Sequence, residues 1–179
     1  EELHYMDDYT AHLSHHHSSN VPWVLGSASP RRQKLLGMLG HAFEVQPSSI
    51  DELCKPHELP RAFALRMAEE KAMNVAESRP HHRVVIGGDT VVAMGMKILG
   101  KPSSTEDAQR TLQMLSAHTH EVWSGWAIAG ANDRGEIILK RSGVVRSVVR
   151  MREISLGEID AYISTGEPLD KAGSYGIQG

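Results

Sequence analysis

The sequence predicts an α/β fold, a mixed sheet flanked by helices, and three observations carry that expectation. Trp23 to Leu25 is a short apolar run closed by Gly26, and Ser29-Pro30 then opens a segment with Leu35, Leu36 and Leu39 at helical spacing before Gly40. Val84-Val85-Ile86 is a continuous apolar run of the kind buried on both faces of a sheet. Between and after these runs, helical patterns alternate with strand-like ones.

The first strand-turn-helix is well specified. Ser29 is a natural N-cap, and Pro30 suits the first helical position because its missing amide hydrogen would be unpaired there anyway. Arg31 and Arg32 then fall in the first turn, where the helix dipole disfavours cations by roughly 0.3 to 1 kcal/mol each. Free amides, the hydroxyls of Ser27 and Ser29 and two guanidinium groups converging on one point make a phosphate site, the alternative being two solvated surface arginines.

His41 to Gln46 alternates as a second strand, and Ile50-Asp51-Glu52 follows with two carboxylates in a loop, which by themselves read as solvated. Leu59 to Ser78 is the longest helical pattern, with Pro60 near its start and Pro80 beyond its end. Lys71 falls inside its apolar stripe of Ala64, Met67, Ala68 and Val75, so its ammonium either snorkels to water or points into a cleft toward an anion.

The strand at Val84–Ile86 ends, on this reading, at Gly87-Gly88-Asp89-Thr90, which puts Asp89 just past a buried strand end, where open α/β sheets place their sites. Asp89 is the leading catalytic candidate, against a turn-capping aspartate as the alternative. Thr90 to Ala93 and Lys97 to Leu99 read as a hairpin around Gly95, followed by Lys101 in a rigid loop. Ser103 to Ser116 is a helix with Ser103 and Glu106 spaced as a capping box. His120 to Ala131, Ile137 to Lys140 and Val144 to Arg152 read as strands, with Trp123 and Trp126 as packing residues. Ser155 to Thr165 is the last helix, with Ser155 and Glu158 as a second box and Gly166 as its stop. The glycine-rich stretch Glu167 to Gly179 carries Lys171 and Gln178 and suits close backbone approach to a phosphate or base, or else is a flexible tail.

Composition bounds the function. With 179 residues and 40% apolar content the chain supports one domain with a sizeable core. A formal net charge of -3 argues against generic binding to a nucleic acid polymer. No apolar run approaches the roughly 18 residues of a membrane span, so a cytoplasmic protein is the expectation. Cys54 is the single cysteine and reads as a passive thiol. Residues 1–20 carry five histidines without apolar period and read as a mobile arm, with adventitious metal binding favoured over a functional site.

An arginine pair at a helix start, lysines in or near loops and carboxylates at Asp51, Glu52 and Asp89 are equipment for a polyphosphate ester bound with a divalent metal. There is no GxxxxGK[ST] and no GxGxxG. The ordered stretches SASPRR (27–32), AEEKA (68–72), GGDT (87–90), GKP (100–102), GEPLDKAG (166–173) and YGIQG (175–179) resemble the Maf-type nucleoside triphosphate pyrophosphatases, also called septum-formation inhibitors.

The resemblance implies an elongated α/β fold similar to the inosine triphosphate pyrophosphatases, two lobes around a cleft. It implies cleavage of a nucleoside triphosphate to monophosphate and pyrophosphate, assisted by a divalent cation such as Mg or Mn, in a nucleotide-pool housecleaning role. Asp89 matches the family's proton acceptor, and Glu52, with Asp89, its metal-site acids. Lys71, Lys101 and Lys171 match phosphate-cleft lysines. Arg31, Thr90 and Gln178 match the positions that set substrate choice and mark the branch acting on dTTP and UTP. Gly88 stands where alanine is usual, and the family continues past the motif ending at Gly179, so a domain over 21–179 lacking a C-terminal segment is expected. The competing expectation is a non-catalytic nucleotide-binding regulator of cell division. Assembly as a homodimer is left open.

Overall fold

The computed structural model describes residues 21–177, so the histidine-bearing arm and Gln178 lie outside the described residues. The element order is β1 (Trp23–Leu25), α1 (Pro30–Gly37), β2 (Phe43–Val45), α2 (Pro60–Ser78), β3 (Val85–Met94), β4 (Lys97–Leu99), α3 (Thr105–Leu115), β5 (Thr119–Ala131), β6 (Ile137–Arg150) and α4 (Leu156–Ser164). Two 3₁₀ turns, Glu167–Asp170 and Ala172–Ser174, follow. Six strands form one mixed sheet in the order β2-β1-β3-β5-β6, with β4 also on β3. The β2-β1 and β1-β3 pairs are parallel, and β3-β4, β3-β5 and β5-β6 are antiparallel. The predicted α/β class is therefore the observed one.

The topology leaves a gap. On one side of β3, β1 pairs only as far as Ile86, whereas β4 pairs from Val92 onward. Gly26 still donates to the Ile86 carbonyl at 2.8 Å, and from there the chain turns away into α1. The middle of β3, from Gly87 to Val91, is thus paired with β5 but has no strand partner opposite. Such a break beside the end of a parallel strand is where α/β sheets admit ligands.

The helix α2 fixes the depth of that gap. Ala64, Ala68, Ala72 and Ala76 recur every four residues, are wholly buried, and form the ridge by which the helix rests on the sheet. Beneath the ridge, Gly87 and Gly125 leave room for helix backbone: a Cβ on Gly87 would lie 2.7 Å from the Ala72 amide nitrogen, and one on Gly125 2.7 Å from the Ala64 carbonyl carbon. Val24, Val75, Val85, Ala127 and Ala129 pack with Ala68, Ala72 and Ala76 in one cluster, and Ala64 joins Phe63, Met67 and Val91 in a second.

Several expectations are corrected. The strand does not end at Gly87-Gly88: β3 runs on to Met94, so Asp89 sits in mid-strand; Gly87 serves helix packing and Gly88 lies against Arg32, and neither terminates the strand. Ile137–Lys140 and Val144–Arg152 are one strand, ending at Arg150; Gly143 in its middle lies under Trp126, whose indole leaves no space for a Cβ. Trp126 packs there with 41% of its surface exposed. The N-cap of α3 is Ser104, not Ser103, because Ser104 Oγ accepts from the Asp107 amide at 3.2 Å while Asp107 Oδ2 accepts from the Ser103 amide. On α1 only Leu36 is buried, and Leu35 and Leu39 are exposed. Residues 167–177 are not a loose tail: Gly173 donates to the Gly100 carbonyl, His120 Nε2 lies 2.6 Å from the Tyr175 hydroxyl, and the Gly176 amide donates to the Tyr162 hydroxyl. The capping box at Ser155–Glu158 and the cap at Ser29 form as expected.

Candidate active site

Alternation along β3 sends neighbouring residues to opposite faces. Asp89 faces α2, where its Oδ1 accepts a 2.6 Å hydrogen bond from Lys71 Nζ, and both residues are buried. Lys71 also pairs at 2.6 Å with Oε1 of Glu52, which reaches it from the loop between β2 and α2. The lysine that sits in the apolar stripe of α2 therefore points into a cleft, and it meets carboxylates. Asp51 is exposed and belongs to none of these contacts.

On the other face, Gly88 and Thr90 meet Arg32. Its Nη1 donates to Ser27 Oγ at 2.9 Å and its Nη2 to Thr90 Oγ1 at 3.1 Å, so the first turn of α1 is tied across the gap to the middle of β3. A Cβ on Gly88 would lie 3.3 Å from Arg32 Nε, so the glycine eases the close approach of the Arg32 side chain to the strand. Ser29 Oγ is occupied as the cap, accepting from the Arg32 amide, and the Ser29 amide donates to Ser27 Oγ. Arg31 takes a different course: its guanidinium approaches Gly176, beside Lys171 and Glu167. Lys171 Nζ donates to the Glu167 carbonyl at 2.7 Å and contacts Asp170 at 3.1 Å. Arg31 and Lys171 thus converge on the segment that leads to Gln178.

An open cleft of about 310 Å³ lies over the gap, lined by Glu52, Asp89 and Thr90 on one side and by Gly100, Lys101 and Ala172 on another. Cys54 stands at its rim, exposed, with its thiol pushed up by desolvation and the nearby Glu58 carboxylate. Partial burial acts to raise the Glu52 carboxyl, but the hydrogen bond and charge of Lys71, with Lys101 and Arg32 beyond, outweigh it and hold Glu52 below the usual carboxylate range. Burial works against the charge on Arg32, and Asp89 and Glu52 oppose that loss. The cleft is a cationic surround with two carboxylates at its centre, suited to a polyanion that brings a metal with it.

The donor set fits such a metal. Both carboxylates approach one point, the ammonium of Lys71, at the same 2.6 Å. Among the described residues no three His, Cys, Asp or Glu side chains form a ligand group. Two carboxylates with phosphate oxygens and water making up the remainder is the usual arrangement for Mg²⁺ on a nucleotide.

Residues 22–179 match the family described as Maf, Maf-like protein. The chain belongs to that family. Among its relatives, a dTTP/UTP pyrophosphatase of Anaeromyxobacter dehalogenans (strain 2CP-C) is 44% identical over 156 residues, which cover 87% of this chain and 77% of the relative. A dTTP/UTP pyrophosphatase of Thermococcus kodakarensis is 47% identical over 156 residues, 87% of this chain and 79% of the relative. One of Bacillus cereus (strain ATCC 10987 / NRS 248) is 44% identical over 156 residues, 87% and 73%. This Maf-like chain brings Ser27, Arg32, Glu52, Lys71, Asp89, Thr90 and Lys101 together at the cleft, with Arg31 and Lys171 beside it.

Sequence reasoning missed the residues that hold this cleft in shape. Asn74, Arg66 and Glu58 anchor the loop that carries Glu52, and His120 meets Tyr175 below the C-terminal segment. An asparagine and an arginine on a helix, with a glutamate in a loop, carry no local pattern that separates them from solvated residues. Among the described residues no helix is long and apolar enough to cross a membrane.

Proposed function

We propose that this Maf-like protein hydrolyses nucleoside triphosphates, dTTP and UTP first among them, to the nucleoside monophosphate and pyrophosphate. The observation that carries the reading is the Asp89–Lys71–Glu52 cluster at the open middle of β3, beside a helix start that supplies Arg32. Arg32, Lys101 and Lys171 bind the phosphate chain and orient it across the gap. Asp89 takes a proton from the attacking water; the water oxygen bonds to the α-phosphorus, the bond to the α-β bridging oxygen breaks, and pyrophosphate leaves. Glu52 and Asp89 are the residues that would hold a divalent cation, Mg²⁺ or Mn²⁺, which when bound would neutralise charge on the phosphates. Lys71 keeps both carboxylates aimed at one point. The setting is the cytoplasm, as a monomer or a homodimer, in the control of nucleotide pools. A purely regulatory nucleotide binder gains little from carboxylates beside its ligand, which disfavours the non-catalytic alternative.

Product analysis tests the reading. Pyrophosphate released in step with nucleoside monophosphate is the expected result; orthophosphate would make the protein a general phosphatase, and no product a binding module. Arg32→Ala is expected to weaken binding of a non-hydrolysable triphosphate analogue by roughly tenfold to a hundredfold, the worth of a charge-assisted hydrogen bond or two, and unchanged affinity in a titration would remove the arginine from the site.

Base choice is the finer part of the proposal. Uracil and thymine present two carbonyl acceptors flanking one imide donor, which a glutamine amide at Gln178 answers with a donor and an acceptor in one plane, with Thr90 and Arg31 in support. Cytosine reverses two of these groups, N3 becoming an acceptor and the 4-substituent a donor, and costs about 1 to 3 kcal/mol per unmatched partner. At least roughly tenfold higher kcat/KM for UTP than for CTP is expected. Equal values for UTP, dTTP, CTP and GTP would sink the base assignment and leave the hydrolytic reading standing.

A further inference from the structure

The segment between β2 and α2 carries Glu52 yet has no regular structure of its own, so something else must set its course. One face of α2 does. Asn74 Oδ1 accepts from Ser48 Oγ at 2.9 Å and from the Ser49 amide at 3.2 Å. Lys71, a turn earlier in α2, pairs with Glu52. Arg66 follows: its Nη2 donates to the Leu53 carbonyl at 2.9 Å, its Nε and Nη2 each reach Glu58 at 2.6 Å, and its Nη1 reaches Glu70 at 3.1 Å. Positions 66, 70 and 74 stack on one helix face, and the loop descends that face from Ser48 to Glu58 against the direction of the helix.

Arg66 is the strongest of these anchors. Its side chain is 18% exposed and that of Glu58 9%, so the fork between them is little screened by water. Glu58 also accepts from the Lys55 amide at 2.9 Å, which closes the turn before α2, and the Arg66 hydrogen bond holds the Glu58 carboxyl down at about 2. The guanidinium lies 5.4 Å from the ring centroid of Phe63, a residue that lines the cleft. Arg66 itself does not line the cleft and holds Glu52 only through its neighbour Leu53.

We propose that Arg66, by gripping Glu58 and the Leu53 carbonyl, is the positioning residue that holds Glu52 where a divalent cation meets it. The inference rests on the reading of Glu52 as a metal-site acid. A cation that takes the Glu52 carboxylate as a ligand competes with Lys71 for it. The side chain of Glu52 is 51% exposed, and Lys71 is the side chain it pairs with; once that pairing loosens, the Arg66 fork is what fixes the adjacent backbone. Ordering by an outer partner of this kind is worth roughly tenfold to a hundredfold in metal affinity.

The experiment is a titration with Mn²⁺, read as free ion by electron paramagnetic resonance, on the protein saturated with a non-hydrolysable triphosphate analogue. Arg66→Met and Glu58→Gln are expected to raise the Mn²⁺ dissociation constant by roughly tenfold or more, with near-ultraviolet circular dichroism unchanged. Their affinity for the analogue in chelator should stay within about twofold of the parent, a split that general loosening of the fold would not produce. Arg66→Lys should recover part of the loss, since an ammonium cannot fork onto Glu58 while reaching Leu53. If Arg66→Met does not fold, Glu58→Gln and Arg66→Lys carry the test. Arg152→Met, which breaks an exposed pair with Glu158 on α4, should change neither constant. Mn²⁺ affinity that depends on Glu52, shown by Glu52→Gln, but is untouched by Arg66→Met and Glu58→Gln would overturn this inference alone. Mn²⁺ affinity untouched by Glu52→Gln would overturn the metal-site reading, and this inference with it.

Discussion

Asp89→Asn is expected to lower turnover at least roughly a hundredfold, the usual contribution of a positioned base, while nucleotide binding survives. The substitution keeps the shape of a side chain that is 7% exposed, so packing in mid-strand is preserved. An asparagine oxygen still accepts from Lys71 Nζ, and Lys71 keeps Glu52 as its ionic partner, which avoids leaving a buried ammonium wholly unpaired. What disappears is the basicity, one negative charge beside the phosphate chain and one of the two acids proposed to hold the metal, so affinity for a triphosphate analogue, measured in chelator, should hold steady or rise. The split between kcat and binding is therefore the signature. Single-turnover pyrophosphate release and analogue affinity, measured together, decide it: turnover within threefold of the parent would move the catalytic role elsewhere.

How much of this site was legible in the sequence depends on whether the reason for each residue is local. Ser29-Pro30 and Ser155–Glu158 announce their helix starts because a cap is satisfied by amides two or three residues away. Lys71 was conspicuous because a charge inside an apolar stripe demands an explanation, and Asp89 because an acid follows a buried run. Where two local solutions overlap, as at Ser103-Ser104 with Glu106-Asp107, pattern alone missed the cap by one residue. The larger errors came from glycines. Gly87 and Gly88 read as a strand end, and the stretch 141–143 falls between two predicted strands; the causes lie far along the chain, in the backbone of α2 for Gly87, the side chain of Arg32 for Gly88 and the ring of Trp126 for Gly143. Arg66 and Asn74 escaped notice for the same reason, since their partners belong to a loop whose path no periodicity encodes.

Gly125→Ala is expected to damage stability and catalysis together, because the glycine lies under α2 and across the β3-β5 ladder from Asp89. A Cβ there would fall far inside contact distance of the Ala64 carbonyl oxygen, 2.7 Å from its carbon and 3.2 Å from Ala68 Cβ. These are helix backbone and ridge atoms, so no side-chain rotation relieves the clash and α2 must lift as a body. Overpacking of this kind costs about 1 to 3 kcal/mol, and the rigid neighbours put Gly125 at the upper end. A loss near 3 kcal/mol lowers Tm by roughly 6 to 12 °C in a domain of this size. Lifting α2 also draws Lys71 away from the Asp89 carboxylate that it now meets at 2.6 Å, and a displacement of about 1 Å at a reacting centre can cost a hundredfold in rate. Gly157→Ala supplies the contrast: it lies within α4 with open space at its Cβ position, so alanine there should raise stability by roughly 0.5 to 1 kcal/mol and leave turnover alone. Thermal melts and pyrophosphate release on both variants test the account. A Gly125→Ala protein that melts within about 2 °C of the parent with normal turnover would mean that α2 is not seated on the sheet by these glycines.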